Sequence, residues 1–354
     1  MKTSIKTILI AISIFFSVSS AFAQVWSAAK ANAWYKSKAW LVGANYIPAY
    51  AINQLEFWQE DTFNEKEIDK ELALAESIGM NSMRVYLHHA LWLQDKQGFK
   101  NRINTYLNIA TKHHIITLFV LFDDCWNDTY KTGPQPQPKP GIHNSGWLKD
   151  PGNRIQNNPK LMDTLEAYTK DILKTFSKDK RILFWDLYNE PGQFDQHNKS
   201  LPLLENVFNW ARQVKPSQPV TSGVYDDNEK AITNFQIRNS DVITYHSYDD
   251  AKTHQRRIDS LRTASGNRPL LCTEYIARKR QSTFENILPM LKNQKIAAYN
   301  WGLVDGKTQT KYAWDEPLKD GSEPKLWFHD IFKKDGTPYK KEETDLIKNL
   351  TKEK

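Results

Sequence analysis

Cysteine is nearly absent from this chain, with two residues in 354, Cys125 and Cys272. Two cysteines near strands expected on opposite sides of the fold point to two free thiols rather than a disulfide, despite the export expected below. A glycine-rich phosphate turn is also missing: after the first apolar run stands Asn45-Tyr46-Ile47-Pro48, which argues against a doubly wound nucleotide-binding sheet. No Arg/Lys cluster is interleaved with aromatics. The net charge of +7 therefore reads as a lysine-rich solvated surface, and no nucleic-acid partner is expected. His113 and His114 are adjacent, with diverging side chains and no carboxylate or Cys at ligand spacing, so they mark no metal site.

Long apolar runs are lacking too. The longest, Ile8 to Val18, falls short of the roughly 20 residues that span a bilayer. Lys2 and Lys6 precede it and Ala21-Phe22-Ala23 follows, the pattern of a secretory signal peptide over residues 1–23 with Gln24 as the mature start. No Cys stands after the cleavage site to take a lipid. Loss of Lys2 and Lys6 takes the formal charge from +7 to +5. The expected product is exported, to the periplasm or the medium, with no integral membrane segment after cleavage.

What remains, residues 24–354, alternates strand and helix signals. Eight short apolar runs read as strands: Leu41 to Pro48, Ser82 to Leu87, Ile116 to Phe122, Ile182 to Tyr188, Val220 to Val224, Val242 to Tyr248, Pro269 to Tyr275 and Ala297 to Val304. Between them run helical patterns. Asn64 is placed to cap, Glu67 completes a capping box, and Ile68, Leu72, Ala75 and Ile78 repeat at helical spacing before Gly79. Similar stripes occur at Leu161 to Phe176, Leu203 to Val214 and Phe284 to Leu291. Eight alternations predict a single (β/α)8 TIM barrel. Long loops follow strands 3 and 8, the first carrying the proline-rich Gly133 to Gly141 and Trp147, the second Tyr312 and Trp314. Both leave the face where barrel active sites sit, so they are expected to wall or cover the site. The lysine-rich tail after Pro338 reads as a last helix that closes the barrel bottom or frays from it.

Asn189-Glu190-Pro191 ends the fourth run, and Glu274 ends the seventh, 84 residues later. Two carboxylates at parallel strand ends suit retaining glycoside hydrolysis, in which one acid protonates the leaving oxygen and one carboxylate attacks the anomeric carbon at about 5–5.5 Å separation. Glu190 fits the acid/base role and Glu274 the nucleophile. Arg84 on the second run can hold a carboxylate ionised, or serve as an ion-pair partner in the barrel mouth. His246 and Tyr248, two apart, share one strand face, and Trp301 offers a flat apolar face to a sugar ring. Asn189 can donate its amide to a sugar hydroxyl. Trp58, Trp92, Trp126, Trp147 and Trp314 are either sugar platforms or packing residues.

On these residues the chain resembles the clan A glycoside hydrolases, and in pattern the family 5 cellulase and mannanase group, over nearly all of residues 24–354. The resemblance places the acid/base after an Asn at the end of strand four (Asn189-Glu190) and the nucleophile at the end of strand seven (Glu274). It also implies an Arg on strand two (Arg84), a His-x-Tyr on strand six (His246-Ser247-Tyr248) and a Trp on strand eight (Trp301). The chain departs from it at the end of strand three, where family 5 commonly has a His and this sequence has Asp123-Asp124-Cys125-Trp126. There Asp123 or Asp124 is expected either to bind a sugar hydroxyl or to cap the loop. The expected partner is a β-linked oligo- or polysaccharide, and no metal or organic cofactor is implied. A transglycosylase on the same site and a non-catalytic carbohydrate-binding barrel are the alternatives.

Overall fold

The computed structural model describes residues 24–153, 158, 160–226 and 228–352; the expected signal peptide lies outside them. Each of the eight apolar runs carries a strand, β3 and β4 extending one residue past theirs: β1 (Val42–Asn45), β2 (Ser82–Tyr86), β3 (Ile116–Asp123), β4 (Ile182–Asn189), β5 (Val220–Thr221), β6 (Ile243–His246), β7 (Leu270–Tyr275) and β8 (Ala297–Trp301). They pair in parallel in the order β5-β4-β3-β2-β1-β8-β7-β6. Backbone bonds close the circle between β5 and β6, from Asp241 N to Val220 O (2.8 Å), Val224 N to Thr244 O (2.9 Å) and His246 N to Val224 O (3.0 Å). The chain is the expected (β/α)8 barrel.

Ring helices follow the strands in turn: α3 (Glu65–Ser77), α5 (Lys96–Lys112), α6 (Lys160–Phe176), α7 (Leu201–Val214), α8 (Lys230–Asn239), α9 (Ala251–Ala264), α10 (Phe284–Asn293) and α11 (Lys341–Lys352). Three shorter helices, α1 (Ala28–Lys36), α2 (Gln54–Trp58) and α4 (His89–Gln94), are additions to that pattern. At the start of α3 only half of the expected capping box forms. Asn64 accepts from the Glu67 backbone (3.2 Å), while the Glu67 carboxylate turns to Lys70 (2.8 Å). Gly79 ends this segment with φ +83°, a conformation that costs glycine little.

The tail behaves differently from expectation. Helix α11 does not close the bottom; it is the eighth ring helix, with Ile347 buried in the main core and Thr351 reaching the Ile78 carbonyl beside α3. Its Glu343 is buried in a two-pronged pair with Arg278, a contact across 65 residues that no local pattern announces. The bottom is closed instead by α1, whose Ala31, Trp34 and Tyr35 pack on the inward residues Leu118, Leu183, Leu271 and Tyr299.

The long loops after β3 and β8 are stitched to each other and to the β1 loop. Gln309 Nε2 donates to the carbonyls of Lys139 (2.7 Å) and Ile142 (3.1 Å), and its Oε1 accepts from Gly141 N (3.0 Å). Backbone bonds join Leu318 N to Gly141 O (3.1 Å) and Asn144 N to Thr308 O (2.8 Å). Asn53 Nδ2 donates to Gly146 O (3.0 Å), and Gln59 Nε2 to Gly133 O (3.0 Å). The proline-rich stretch is thus a pinned wall whose backbone polar groups find partners, as a covered segment requires.

Candidate active site

The conformation of the strand ends brings the chemistry together. Arg84, fully buried, donates from Nε and Nη2 to Asp186 Oδ2 (3.1 and 2.7 Å), and from Nη2 also to Asn189 Oδ1 (2.8 Å). Its Nη1 donates to Asn45 Oδ1 (2.8 Å), Tyr86 OH (2.6 Å) and Glu274 Oε1 (2.7 Å). The fork of a guanidinium lets one side chain tie β1, β2, β4 and β7 in a fixed geometry.

Glu274 points into this cluster because β7 carries an extra residue. Tyr245 pairs with Cys272 while His246 pairs with Glu274, and the register against β8 shifts over the same stretch. With strict alternation from the inward Leu271, Glu274 would face outward; the bulge turns it inward. Its Oε1 accepts from Arg84 and from Tyr86 OH (3.1 Å), its Oε2 from Tyr248 OH (2.6 Å). Three donors, one of them a full charge, engage both oxygens and fix the carboxylate in one orientation.

Glu190 has another environment. It leaves β4 with φ +43°, in the left-handed region that side chains seldom adopt and that clusters at functional sites. Oε1 shares a hydrogen bond with His246 Nδ1 (2.7 Å), and Oε2 accepts from Gln193 Nε2 (3.1 Å) and the Cys125 thiol (3.2 Å). Burial raises its pKa above the ordinary carboxylate value, with the Cys125 and Gln193 donors opposing. Burial pushes the His246 pKa down to about 4, so the imidazole is neutral at neutral pH and brings no charge that would ionise Glu190. Each carboxylate has one oxygen within 4.8 Å of an oxygen of the other.

These contacts give a testable role to Cys125, which lies just past the end of β3. Its S–H favours the ionised form of Glu190. In Cys125→Ala that donor is lost, the Glu190 pKa rises, and the alkaline limb of the kcat/KM profile moves to higher pH. A limb that stays in place, or moves down, in the pH profile would remove the thiol from this role.

The cleft above the two glutamates has a volume of about 430 Å³. His246, Tyr248, Trp126, Trp301 and Asn189 line it, together with Trp314. Trp147 and Asp124 do not. Trp147 stands behind the cleft, edge-on to Trp301 (5.4 Å) and Tyr86 (5.0 Å), with its indole N–H on Asp123 Oδ2 (2.7 Å). Asp124 is buried on the far side of β4, accepting from Tyr188 OH (2.7 Å), Gly192 N (2.8 Å) and Ser200. Of the two roles open to it, organising the loop is the one its contacts describe. Asn189 directs its amide protons to Asp123 Oδ1 (2.9 Å) and, more loosely, Cys125 Sγ (3.5 Å), so a sugar hydroxyl would compete only with the sulfur.

Sequence reasoning passed over several members of the site. Tyr86 was within reach, since it lies two residues from Arg84 on the same strand face. Asn45 and Asp186 end or sit in strands whose polar positions face inward, a signal available but not used. His143, Asn144, Tyr225, Arg257 and His329 come from loops or a helix and carried no such signal. Both cysteines are free and buried.

Among the described residues, two clusters have ligand-like spacing, Glu190-His246-Glu274 and His88-His89-Asp150. In the second, the atoms are already engaged: His88 Nε2 with Lys149 O (3.1 Å) and Nδ1 with Ala90 N (3.1 Å), His89 with Asp150 and with Tyr130 OH (3.1 Å). It pins the β2 loop to the β3 loop. No helix among the described residues is long and apolar enough to cross a membrane.

No family model matches the chain, and no curated protein matches it in sequence. Solved structures do resemble it in fold. A GH5_18 protein from Streptomyces cattleya, crystallised with GlcNAc, superposes with a TM-score of 0.60 at 11% identity, over 89% of this chain and 80% of that one. The exo-beta-1,4-mannosidase Op5Man5 from Opitutaceae bacterium strain TAV5 does so at 0.60 and 18%, over 89% and 59%. The endo-beta-1,4-mannanase from Thermotoga petrophila does so at 0.58 and 13%, over 90% and 77%.

Proposed function

We propose that the protein is an exported retaining β-glycoside hydrolase acting on a β-linked glycan. The observation that carries this reading is the pair Glu190 and Glu274, from β4 and β7, with one oxygen of each within 4.8 Å and with unlike surroundings. An inverting site leaves about 6.5–9.5 Å for an intervening water, whereas direct attack needs the shorter spacing. Glu190, its pKa raised by burial, delivers a proton to the glycosidic oxygen as Glu274 attacks the anomeric carbon and the aglycone leaves as an alcohol. Water, deprotonated by Glu190, then attacks the same carbon and frees Glu274, with the anomeric configuration kept. The fold similarity supports this reading, and the mannan-acting neighbours put β-mannosides first among the sugars to test. Export rests on the signal-peptide pattern of residues 1–23.

The test is mass spectrometry after incubation with 2-deoxy-2-fluoro aryl β-glycosides of mannose, glucose and xylose. A covalent adduct on Glu274 is the expected result, and the sugar that labels fastest identifies the glycone. Cleavage of natural glycans with no adduct from any of the three would count against retention at Glu274. A second expected result concerns the acid. Glu190→Ala should lose about 10²–10⁴-fold on substrates with poor leaving groups and far less on activated aryl glycosides, because only the former need a proton donor. Equal losses in steady-state kinetics on both kinds of substrate would reject Glu190 as the acid.

A further inference from the structure

The cleft has one closed end. Its lining comes from the ends and following segments of β3 to β8, with no residue from the loops after β1 or β2. Over that sector lie the stitched β3 and β8 loops. What remains beneath them is a separate void of about 10 Å³, lined by Asn45, Ile47 and Tyr86 among others. Asn144 and Trp301 line both the void and the cleft, so they form the partition between the two. The space beyond it, about 10 Å³, has no room for a further sugar ring.

The chemistry of the two glutamates decides which part of a substrate meets the wall. The leaving oxygen must lie at Glu190, on the side where Gln193, the exposed Phe194 and Tyr225 line the cleft. The ring that Glu274 attacks lies on the other side, against Trp301. The partition and the cleft wall beside it, where the rings of His143 and His329 lie 5.3 Å apart, carry unused polarity. Asn144 is 1% exposed, and neither its Oδ1 nor its Nδ2 has a hydrogen-bond partner; its backbone, at φ +48°, is held by Thr308 and Trp147. His329 is fully buried on the cleft wall, its Nδ1 donating to the Ile276 carbonyl and its Nε2 without a partner. That tautomer leaves Nε2 as an acceptor. Buried polar groups left unmade are costly, and a ring of sugar hydroxyls supplies both donors and acceptors.

We propose that the enzyme works only from the non-reducing end, releasing one sugar per cleavage, with Asn144 and His329 binding the hydroxyls of that terminal ring at the closed end. This rests on the glycosidase reading above and narrows its substrate to chain ends. The mature protein is incubated with β-1,4-linked tetrasaccharides of mannose, glucose and xylose that carry a fluorescent label at the reducing end, each in free form and with a methyl ether on O4 of the non-reducing-end ring. The expected result is a labelled ladder that shortens one sugar at a time with monosaccharide as the sole unlabelled product, and a rate on the capped form lower by about a hundredfold or more. Release of disaccharide or longer fragments, or equal rates on capped and free chains, would overturn the proposal. A Glu274 adduct with an aryl glycoside keeps that failure separate from failure of the glycosidase reading, since the adduct needs no polymer.

The residues are tested by Asn144→Gly, which removes the amide and suits the positive φ. Its kcat/KM on aryl glycosides of the preferred sugar should fall about tenfold, the size of a lost hydrogen bond, and the loss should vanish on the analogue deoxygenated at the hydroxyl that Asn144 binds. A purely structural role would give equal losses on the parent and on every monodeoxy analogue, and would overturn the assignment.

Discussion

Glu274→Gln is expected to abolish turnover, with kcat lower on the order of 10⁵-fold or more on every glycoside, activated or not. The substitution keeps the size of the side chain and an oxygen able to accept from Arg84 or Tyr248, so the barrel should stay folded with its cleft intact. What it removes is the negative oxygen that forms the bond to carbon. Leaving-group activation cannot compensate, because departure without a nucleophile leaves an unsupported oxocarbenium ion. That distinguishes this variant from Glu190→Ala, where activated substrates are spared. Addition of azide sharpens the contrast: in Glu274→Ala it enters from the vacated face and gives the α-glycosyl azide, whereas in Glu190→Ala it intercepts the glycosyl-enzyme and gives the β-anomer. Nuclear magnetic resonance of the azide product reads the outcome, and a β-azide from Glu274→Ala would place the nucleophile elsewhere.

Arg84→Met should cost stability and activity together. Arg84 is the cation against which Asp186 and Glu274 are buried, and removing one member of a buried ion cluster destabilises by about 3–5 kcal/mol because the other charge is left uncompensated. Urea denaturation measures it. The pH dependence has a definite sign. Burial already raises the Asp186 pKa, with Arg84 opposing, so the variant raises it further. A carboxyl whose folded pKa lies above its unfolded value costs nothing below the unfolded value, and the penalty grows as pH rises from there toward the folded one. The gap between wild type and Arg84→Met should therefore be smallest near pH 4 and widen toward neutrality. A constant gap would mean that lost packing, not stranded charge, is the cause. Replacing Asp186 by Leu in the same chain should recover stability and leave activity lost, since Glu274 still lacks its partner.

The Arg84 cluster also shows how much was legible beforehand. Glu190, Glu274, His246, Tyr248 and Trp301 sit at or just past strand ends and Arg84 in the middle of β2, and their positions follow from apolar runs, strand period and the rule that barrel sites lie toward C-terminal strand ends. All six meet in one cleft or at its base. Helix α3 and the other amphipathic ring helices follow from the same local periodicity. Position alone puts Asp124 and Trp147 near the cleft, whereas their side chains turn away from it to hold Gly192 and Asp123. The tail was misplaced for a related reason: an amphipathic stripe says that a helix buries one face, but not against which neighbour.

The amino-acid sequence by itself determined the barrel, its eight strands and the two glutamates, because these depend on patterns within a few residues and on the order of elements. Only the tertiary structure decided how Glu274 points, through a one-residue bulge in β7 that strict alternation would contradict. It also decided that the cleft is closed at one end. That closure rests on bonds such as Gln309 to Lys139 and Asn144 to Thr308, between loops about 170 residues apart. Loops have no period, and a pairing across such a span leaves no trace in either segment; it exists only once the barrel has brought β3 and β8 to the same rim.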